Sequence, residues 1–338
     1  MVEMTTNKST IAIVAPYPSV IWDLAILYGK IYNEYGLNVV MINSRQGPLR
    51  FKLFIDLIIN DYDLVNVHSS GYFDDLSLLY ATITSKLKGK KVILTYHCGN
   101  LGHILKNFGA LMRVLFKSVD KIITVSKYMR VELTSFDEDL GRKIVVIQNF
   151  LDKSAQYDDN YFKKKGPIVL SVGSVSTHYI NRKGLKTFVD AAKHLPHLKF
   201  VLVGKPIDDS ITYLKSISSN NVEFTGYISD NERDNWYKNA LIYCQLSSSE
   251  GLPISLLESM SFGCVPVVTN TTSHPETIGD CGFLVPYGNP LATAKAIEKA
   301  INHPEKSICA SKRFNNKFTL EKRKQELINV VKEVMNDI

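Results

Sequence analysis

Short apolar runs alternate with longer helical segments along almost the whole chain, and this alternation limits the fold more than any other feature. The runs hold three to five residues each and are rich in Val and Ile. Such runs are typical of strands buried on both faces of a parallel sheet. Their alternation with helices predicts βαβ units with right-handed crossovers. The predicted strands are residues 11–15, 39–42, 64–67, 92–96, 122–125, 144–147, 169–172, 200–203, 222–224, 242–246, 265–268 and 283–285.

The rhythm is interrupted once, at residues 152–166, which are polar and show no periodicity. A chain of 338 residues is long enough for two domains with separate cores. We therefore predict an α/β domain at residues 1–152, a linker at 153–166 and a second α/β domain at 167–317. The last segment, about 318–338, has a helical pattern.

Charge and cysteine usage narrow the choice of function. The formal net charge is +7, and residues 86–130 hold ten Lys or Arg but one acid, Asp120. This basic stretch predicts a negatively charged partner. No Gly-x-Gly-x-x-Gly follows a strand, which disfavours a nicotinamide oxidoreductase, and no motif supports nucleic-acid binding. Five scattered cysteines indicate reduced intracellular thiols and no metal site. No signal peptide or membrane-length apolar run is present, so we predict a cytoplasmic protein.

The strongest motif runs from Glu250 to Glu258 and continues into the strand at 265–268. Its pattern is that of a loop, a helix, a turn and a strand, with Pro253 in the first helical turn and Gly263 at the helix exit. The N–H groups at the helix start are a natural seat for phosphate. Two acids and a row of backbone donors can therefore bind a sugar, a diphosphate and a ribose in line.

Further polar residues follow other predicted strands, where ligands bind in a doubly wound sheet. They are Ser174, Arg182 and Lys183 after 169–172, and His97 after 92–96. A cation at a helix start opposes the helix dipole, which favours a functional role for Arg182 and Lys183. An imidazole at position 97 can orient a hydroxyl or stabilise developing charge.

This arrangement, followed by Pro266-Val267-Val268 and His274-Pro275-Glu276, resembles the family 4 retaining glycosyltransferases (glycosyl transferases group 1). The resemblance is dense across residues 169–286. It implies the GT-B fold, in which two Rossmann-like domains with parallel sheets face each other across a cleft. It also implies that a C-terminal helix, here about 318–338, packs back on the first domain.

The resemblance also implies roles for single residues. Glu250 holds a hydroxyl of the donor sugar, Lys183 binds the diphosphate, and His97 lies near the acceptor and the donor sugar; these three form the predicted catalytic set. Glu258 binds the ribose hydroxyls. The donor, a UDP- or GDP-sugar, would be bound without a metal or other cofactor by Ser174, Arg182, Lys183, Gly226, Tyr227, Ile228, Glu250, Gly251, Leu252, Pro253, Ile254 and Glu258. In the front-face mechanism of such enzymes, no protein base is required.

Three departures from the family pattern leave alternatives open. Ser174 stands where the family usually has an arginine, and Phe150 replaces a glycine. Residues 16–21 lack the usual paired glycines. The predicted function is retaining transfer of a sugar to a glycan or lipid-linked acceptor, in cell-surface polysaccharide or glycolipid synthesis. A catalytically weak sugar-nucleotide-binding protein and a GT-B-like nucleotide-sugar epimerase are the alternatives. Tyr227 either stacks on the base or packs internally.

Residues 104–118 plot as an amphipathic helix with Lys106, Arg113 and Lys117 opposite a broad apolar face. Two interpretations stay open. The helix packs its apolar face on the core, or it lies on an anionic membrane surface together with the basic stretch at 86–130. The second interpretation predicts a peripheral protein at the inner face of the membrane.

Overall fold

All twelve predicted strands form in the computed structural model, and they fall into two separate parallel sheets. The structure describes residues 8–44, 51–69, 74–99, 101–155 and 165–336. Most of the predicted linker, residues 156–164, lies outside the described residues. The chain divides into two compact units, which are Met1–Asn149 with Leu320–Ile338 and, between them, Phe150–Thr319. The predicted α/β class with parallel sheets is confirmed for each unit.

The first unit is built on a six-stranded sheet in the order β2-β1-β3-β4-β5-β6, with every pair parallel. The residues of β1 from Ile11 to Ala15 are apolar and completely buried. The strands are β1 (Thr10–Ala15), β2 (Asn38–Asn43), β3 (Leu64–Ser69), β4 (Lys91–Tyr96), β5 (Lys121–Thr124) and β6 (Ile144–Val146).

Helices connect these strands as right-handed crossovers require. Serine side chains begin two of them, since Ser19 accepts from the Trp22 N–H and Ser126 accepts from the Met129 N–H. The C-terminal helix, Leu320–Asn336, belongs to this unit and packs against α1. The helices between the strands are α1 (Val20–Glu34), α2 (Phe51–Ile59), α3 (Asp74–Leu87), α4 (Leu101–Ser118) and α5 (Lys127–Phe136).

The second unit holds a sheet in the order β12-β11-β10-β7-β8-β9, again entirely parallel. This is the strand order of the Rossmann fold. The strands are β7 (Gly166–Val172), β8 (Lys199–Val203), β9 (Val222–Gly226), β10 (Ala240–Gln245), β11 (Val265–Thr269) and β12 (Phe283–Val285). The helices are α6 (Thr177–Arg182), α7 (Leu185–Ala192), α8 (Ser210–Ile217), α9 (Asp230–Asn239), α10 (Ile254–Ser261), α11 (His274–Ile278), α12 (Pro290–Ile301) and α13 (Glu305–Lys317).

The cysteines differ from the prediction of five reduced thiols. Cys281 and Cys309 form a disulfide in the second unit, with their Cα atoms 5.2 Å apart. The pairing joins the turn before β12 to α13, a contact that their separation of 28 residues did not reveal. Cys98, Cys244 and Cys264 are free and buried, as expected for thiols that fill a core.

No described helix combines the length and the apolar content that crossing a bilayer requires.

Candidate functional site

In the second unit, the predicted site residues gather where the strand order reverses. β7 and β10 are neighbours in the sheet, but β7 leads on to β8 and β10 leads on to β11, on opposite sides. A crevice forms beyond the carboxyl ends of two such strands and is the usual ligand site of an open α/β sheet. The loops at this point carry Gly173-Ser174 after β7 and Ser247 to Glu250 after β10.

Close backbone contacts hold these loops together. The Ser248 N–H donates to the Arg182 carbonyl at 2.8 Å, and Arg182 Nη1 donates to the Ser249 carbonyl at 3.1 Å. Gly184 has a φ of +64°, and a Cβ built on it would lie 2.1 Å from the Leu246 carbonyl oxygen. A Cβ on Gly204 would lie 1.9 Å from the Gly173 carbonyl oxygen. Only glycine therefore fits at either position.

Glu250 is held from two directions. Its Oε1 accepts from the Ser247 hydroxyl at 3.0 Å and lies 3.7 Å from Arg182 Nη1. Its backbone N–H donates to Thr272 Oγ1 at 3.1 Å. Within the described ranges Oε2 has no hydrogen-bond partner, so one carboxylate oxygen is fixed and the other is available to a ligand.

Lys183 places a largely buried ammonium beside this carboxylate. Burial lowers the pKa of Lys183, an effect that Glu250 opposes and Arg182 reinforces. A Cβ on Gly173 would lie only 3.0 Å from Lys183 Nζ, so the ammonium lies directly against the end of β7. Lys183 forms no ion pair with any carboxylate of the described residues. A largely buried cation that makes no ion pair favours an anionic ligand.

The helix that follows Glu250 offers further donors. α10 begins at Ile254, and no side chain caps its start. The prediction that Pro253 lies in the first helical turn is wrong, because Pro253 comes just before the helix with an extended backbone (φ −72°, ψ 125°). Gly251, Leu252 and Pro253 are buried, so this segment contributes backbone rather than side chains. Gly263 leaves the helix with a φ of +67°, as predicted.

Glu258 lies on α10 and contacts two side chains of α9. Arg233 Nη2 donates to Oε1 and the Tyr237 hydroxyl donates to Oε2, each at 3.1 Å. Burial raises the pKa of Glu258, and Arg233, Lys153 and Tyr237 oppose that rise. Both carboxylate oxygens of Glu258 are thus fixed by donors. The ion pair with Arg233 was not predicted from the sequence.

The segment after β9 bears on one of the two alternatives for Tyr227. Gly226 has a φ of +71°, which turns the chain outward, and Tyr227 is 78% exposed. Ile228 is half-buried beside it. The prediction of internal packing for Tyr227 is therefore wrong, and its ring is available for stacking.

In the first unit, His97 follows β4 and is paired with His68 on β3. Their Nε2 and Nδ1 atoms are 3.1 Å apart, and the two rings stack with centroids 5.3 Å apart. Burial lowers the pKa of His97 to about 4, an effect that Asn149 partly opposes. Burial and then His97 hold the pKa of His68 well below its usual value. His97 is therefore neutral near pH 7, which suits hydrogen bonding and not charge stabilisation.

Three of these residues were missed by the sequence analysis, namely His68, Arg233 and Tyr237. His68 had a usable signal, since it lies near the end of β3, next to the strand that carries His97. Arg233 and Tyr237 had none, because their contacts with Glu258 span 25 and 21 residues between two helices.

Helix α4 packs partly on the core and partly faces outward. Ile104, Met112, Leu115 and Phe116 are buried, while Phe108 is 60% and Val114 66% exposed. The helix is kinked at Phe108 (φ −129°, ψ 23°), so its apolar residues do not form the single face that was predicted.

Acids from outside the basic stretch at 86–130 neutralise many of its cations. Asp137 binds both Arg113 and Lys117, and Glu333 of the C-terminal helix binds Lys121. Lys90 lies within ion-pair distance of Asp61 and Asp63. The net charge around residues 86–130 is therefore well below the +9 that follows from their ten basic residues and one acid.

No group of three or more His, Cys, Asp or Glu side chains is placed to hold a metal ion in the part of the chain that the structure describes.

A solved structure with the same architecture is that of Anabaena HepE in complex with UDP-glucose. It superposes with a TM-score of 0.75 and covers 96% of this chain and 99% of that one, at 15% sequence identity. At this identity the likeness shows the fold alone. Together with the two parallel sheets, it defines a protein of the GT-B glycosyltransferase fold.

Two family models identify the family. The model of Glycosyl transferases group 1 matches residues 152–316, and that of Glycosyltransferase Family 4 matches residues 24–155. Together they cover most of the chain, which therefore belongs to the family 4 glycosyltransferases, as the sequence motifs predicted. The chain is thus a glycosyltransferase of the group 1 type.

Curated relatives agree with this assignment. D-rhamnosyltransferase WbpZ of Pseudomonas aeruginosa is 25% identical over 295 residues, which are 82% of this chain and 74% of that protein. GDP-mannose:cellobiosyl-diphosphopolyprenol alpha-mannosyltransferase of Xanthomonas oryzae is 26% identical over 249 residues, or 70% of this chain and 63% of that protein.

Proposed function

We propose that the chain transfers a sugar from a UDP- or GDP-sugar to a glycan or lipid-linked acceptor, with retention of the anomeric configuration. The observation that carries the proposal is the Lys183 ammonium. It is largely buried, makes no ion pair with a described carboxylate although Glu250 acts on it electrostatically, and lies at the strand-order reversal of the second sheet. A nucleotide diphosphate supplies the negative charge that this cation needs.

The donor would lie along the loops of the second unit. Its diphosphate would contact Lys183 and the first N–H groups of α10, its sugar the free Oε2 of Glu250, and its ribose Glu258. Tyr227 would stack on the base. Arg182 serves the donor indirectly in this arrangement, because its guanidinium already contacts Glu250 and the Ser249 carbonyl.

The proposed chemistry is a front-face displacement. The acceptor oxygen bonds to the anomeric carbon as the bond from that carbon to the diphosphate oxygen breaks, and the acceptor proton passes to the departing diphosphate. Lys183 and the α10 N–H groups stabilise the negative charge on the leaving group. The neutral His97 would orient a sugar or acceptor hydroxyl by hydrogen bonding. No metal and no protein base takes part.

A thermal-shift screen tests donor binding. Purified protein is heated with UDP, GDP, ADP and their sugars, and a ligand at about 100 times its Kd is expected to stabilise the fold by about 2.7 kcal/mol. The shift should be lost in Glu258→Ala but retained in Glu223→Ala, which removes an exposed carboxylate bound to Lys199. Absence of a shift with every nucleotide would refute the proposal.

The alternative of a catalytically weak nucleotide-sugar-binding protein is favoured by one observation. Ser174 offers a half-buried hydroxyl where related enzymes place a cation, and Arg182 does not replace that cation directly. A shift with a nucleotide sugar but no transfer to any acceptor would support this alternative. Conversion of the nucleotide sugar without an acceptor would instead indicate an epimerase.

We also propose peripheral binding to an anionic membrane through α4, at the inner face of a membrane that carries the lipid-linked acceptor. The support is the exposed apolar group of Phe108, Leu111 and Val114, beside the exposed Lys106. Because many nearby cations are already paired, apolar contacts should dominate. In flotation with anionic liposomes, Leu111→Ser should reduce binding more than 0.5 M salt does. Protein that stays unbound at low salt would refute this part.

A further inference from the structure

The Glu258 carboxylate is the most completely supported acid of the site. Arg233 and Tyr237 are four residues apart on α9, so they project from the same side of that helix. One donates to Oε1 and the other to Oε2, both at 3.1 Å. Neither residue belongs to the motifs that predicted the donor site.

Each supporting residue is itself held in place. Arg233 Nη1 binds Asp230 Oδ1 at 2.8 Å, which leaves Nη2 directed at Glu258. The Tyr237 ring is fully buried and stacks on Phe262, with centroids 5.8 Å apart and an angle of 11° between the rings. The carboxylate therefore meets two donors whose positions do not depend on its own rotamer.

This support leaves room for a ligand. A carboxylate oxygen can accept two hydrogen bonds, so one site on each oxygen stays available after the contacts with Arg233 and Tyr237. The Glu258 side chain is 13% exposed, which is enough for a small pair of hydroxyls to reach it. Two acceptor sites on adjacent oxygens match a vicinal diol, such as the 2′- and 3′-hydroxyls of a ribose.

We propose that Arg233 and Tyr237 are positioning residues of the donor site, which hold the Glu258 carboxylate in the one orientation that accepts both ribose hydroxyls. The proposal rests on the proposed function for the nature of the ligand. It adds that the preference for ribonucleotides over deoxyribonucleotides depends on α9, outside the motif that carries Glu258.

The test compares a nucleoside diphosphate with its 2′-deoxy analogue. Isothermal titration with UDP and 2′-deoxy-UDP, or with the GDP pair if GDP binds, gives two values of Kd for each variant. A hydrogen bond to a charged group is worth roughly a factor of ten or more in affinity, so the native protein should prefer the ribonucleotide by about tenfold. In Arg233→Gln the preference for the ribonucleotide should fall to about twofold. The Kd of the deoxynucleotide should stay within about twofold of its value for the native protein.

Two milder variants keep the test valid if Arg233→Gln folds poorly. Tyr237→Phe removes a single hydroxyl and should lower the preference to about threefold. Arg233→Lys keeps the charge but not the fork, and should give an intermediate ratio. The matched control is Lys238→Gln, which removes an exposed cation from the same helix and should leave the tenfold preference intact.

A pH series separates positioning from general structural support. The charged and titratable groups that act on Glu258 are Arg233, Lys153, Tyr237 and Asp234, and the pKa of Tyr243 is in turn raised by burial and also by the Glu258 charge. Loss of the Arg233 charge leaves burial less opposed, so the pKa of Glu258 rises further. UDP affinity of Arg233→Gln should therefore weaken more steeply than that of Arg233→Lys as the pH is lowered.

The outcomes are distinct. Equal weakening of UDP and 2′-deoxy-UDP by Arg233→Gln would overturn the positioning role and leave the proposed function standing. A native protein that binds both nucleotides equally would overturn the role of Glu258 toward the diol. Failure of every nucleotide to bind the native protein would instead overturn the proposed function itself.

Discussion

The two units share an architecture but place opposite kinds of chemistry at the ends of their strands. In the second unit the residues at the strand-order reversal are charged: Arg182 lies within ion-pair distance of Glu250, and both residues act electrostatically on the nearby Lys183. In the first unit the strand order reverses between β1 and β3, and the neutral pair His68 and His97 lies next to this point, at the ends of β3 and the neighbouring β4. Two parallel sheets of the same size can thus carry either charged or neutral side chains at the ends of their strands, and the sheet itself does not decide which.

Under the proposed function, the difference follows from what each site would bind. A diphosphate is negatively charged both in the bound donor and as the leaving group. A site for it therefore benefits from a cation that is not already neutralised. A sugar hydroxyl is uncharged, and a neutral imidazole that donates or accepts a hydrogen bond is sufficient for it. Four variants or conditions test this difference between the two sites, and the largest expected effect comes first.

Removal of the Lys183 charge should have the largest effect. Lys183→Met is expected to lower kcat/KM by about 10³-fold, because a preorganised cation opposite the leaving group is lost. Steady-state kinetics with the donor found in the nucleotide screen measures this. The control is Lys186→Met, which removes an exposed lysine paired with Asp190 one turn further on. Equal losses of kcat/KM in the two variants would show that the Lys183 charge has no special role, and the charged site would then not differ functionally from the neutral one.

Glu250→Gln should have the next largest effect, about 10²-fold on kcat with a smaller change in KM. The amide keeps the size of the side chain and one acceptor oxygen, but it weakens the contacts with Ser247 and Arg182. A rise in KM alone would show that Glu250 only binds the donor and does not act on the transition state.

Substitution of Gly184 tests whether the charged site depends on its close backbone packing. Gly184→Ala is expected to destabilise the protein by at least about 2 kcal/mol, because the positive φ costs about 1 kcal/mol and the Cβ collides with the Leu246 carbonyl. Gly288→Ala also has a positive φ (+73°) but no atom within 4 Å of its Cβ, and should cost about 1 kcal/mol. Urea unfolding of both variants measures the difference, and equal midpoints would contradict it.

The histidine pair should produce the smallest effect, a dependence of stability on pH. Burial lowers the pKa of His68 and His97, so between about pH 4 and 6.5 the unfolded chain binds more protons than the folded one. Stability should therefore fall as pH falls through this window, by up to about 1.4 kcal/mol per pH unit for each histidine. The double variant His68→Asn, His97→Asn should show a flatter profile than His178→Asn, which replaces an exposed histidine. Identical profiles would be inconsistent with a neutral buried pair.

The sequence predicted the sheets well because buried parallel strands are local signals. Every run of Val and Ile that was counted as a strand is one, with ends that move by at most three residues. Glu250, Lys183 and Gly263 could also be placed, since turn glycines and strand ends fix their position along the chain. Pro253 fell just outside the helix because its backbone φ suits both the helix and the extended residue before it.

Features that depend on long-range pairing could not be predicted. The charge of residues 86–130 looked unbalanced because the acids that pair with it, such as Asp137 and Glu333, lie elsewhere in the chain. Arg233 was missed for the same reason, as its partner Glu258 lies on another helix. The disulfide between Cys281 and Cys309 depends on the packing of α13 beside the sheet, which no spacing rule reveals.

The contact between Gly204 and Gly173 has a consequence for engineering. Neither a larger residue at 204 nor a side chain at 173 fits without displacing a backbone carbonyl or the Lys183 ammonium, so we expect main chain to form the floor of the proposed donor site. Libraries that aim to change the accepted donor should leave these positions fixed. Diversity should be placed instead at exposed or half-buried positions such as Ser174, Tyr227 and Ile228, where new side chains reshape the walls without disturbing the floor.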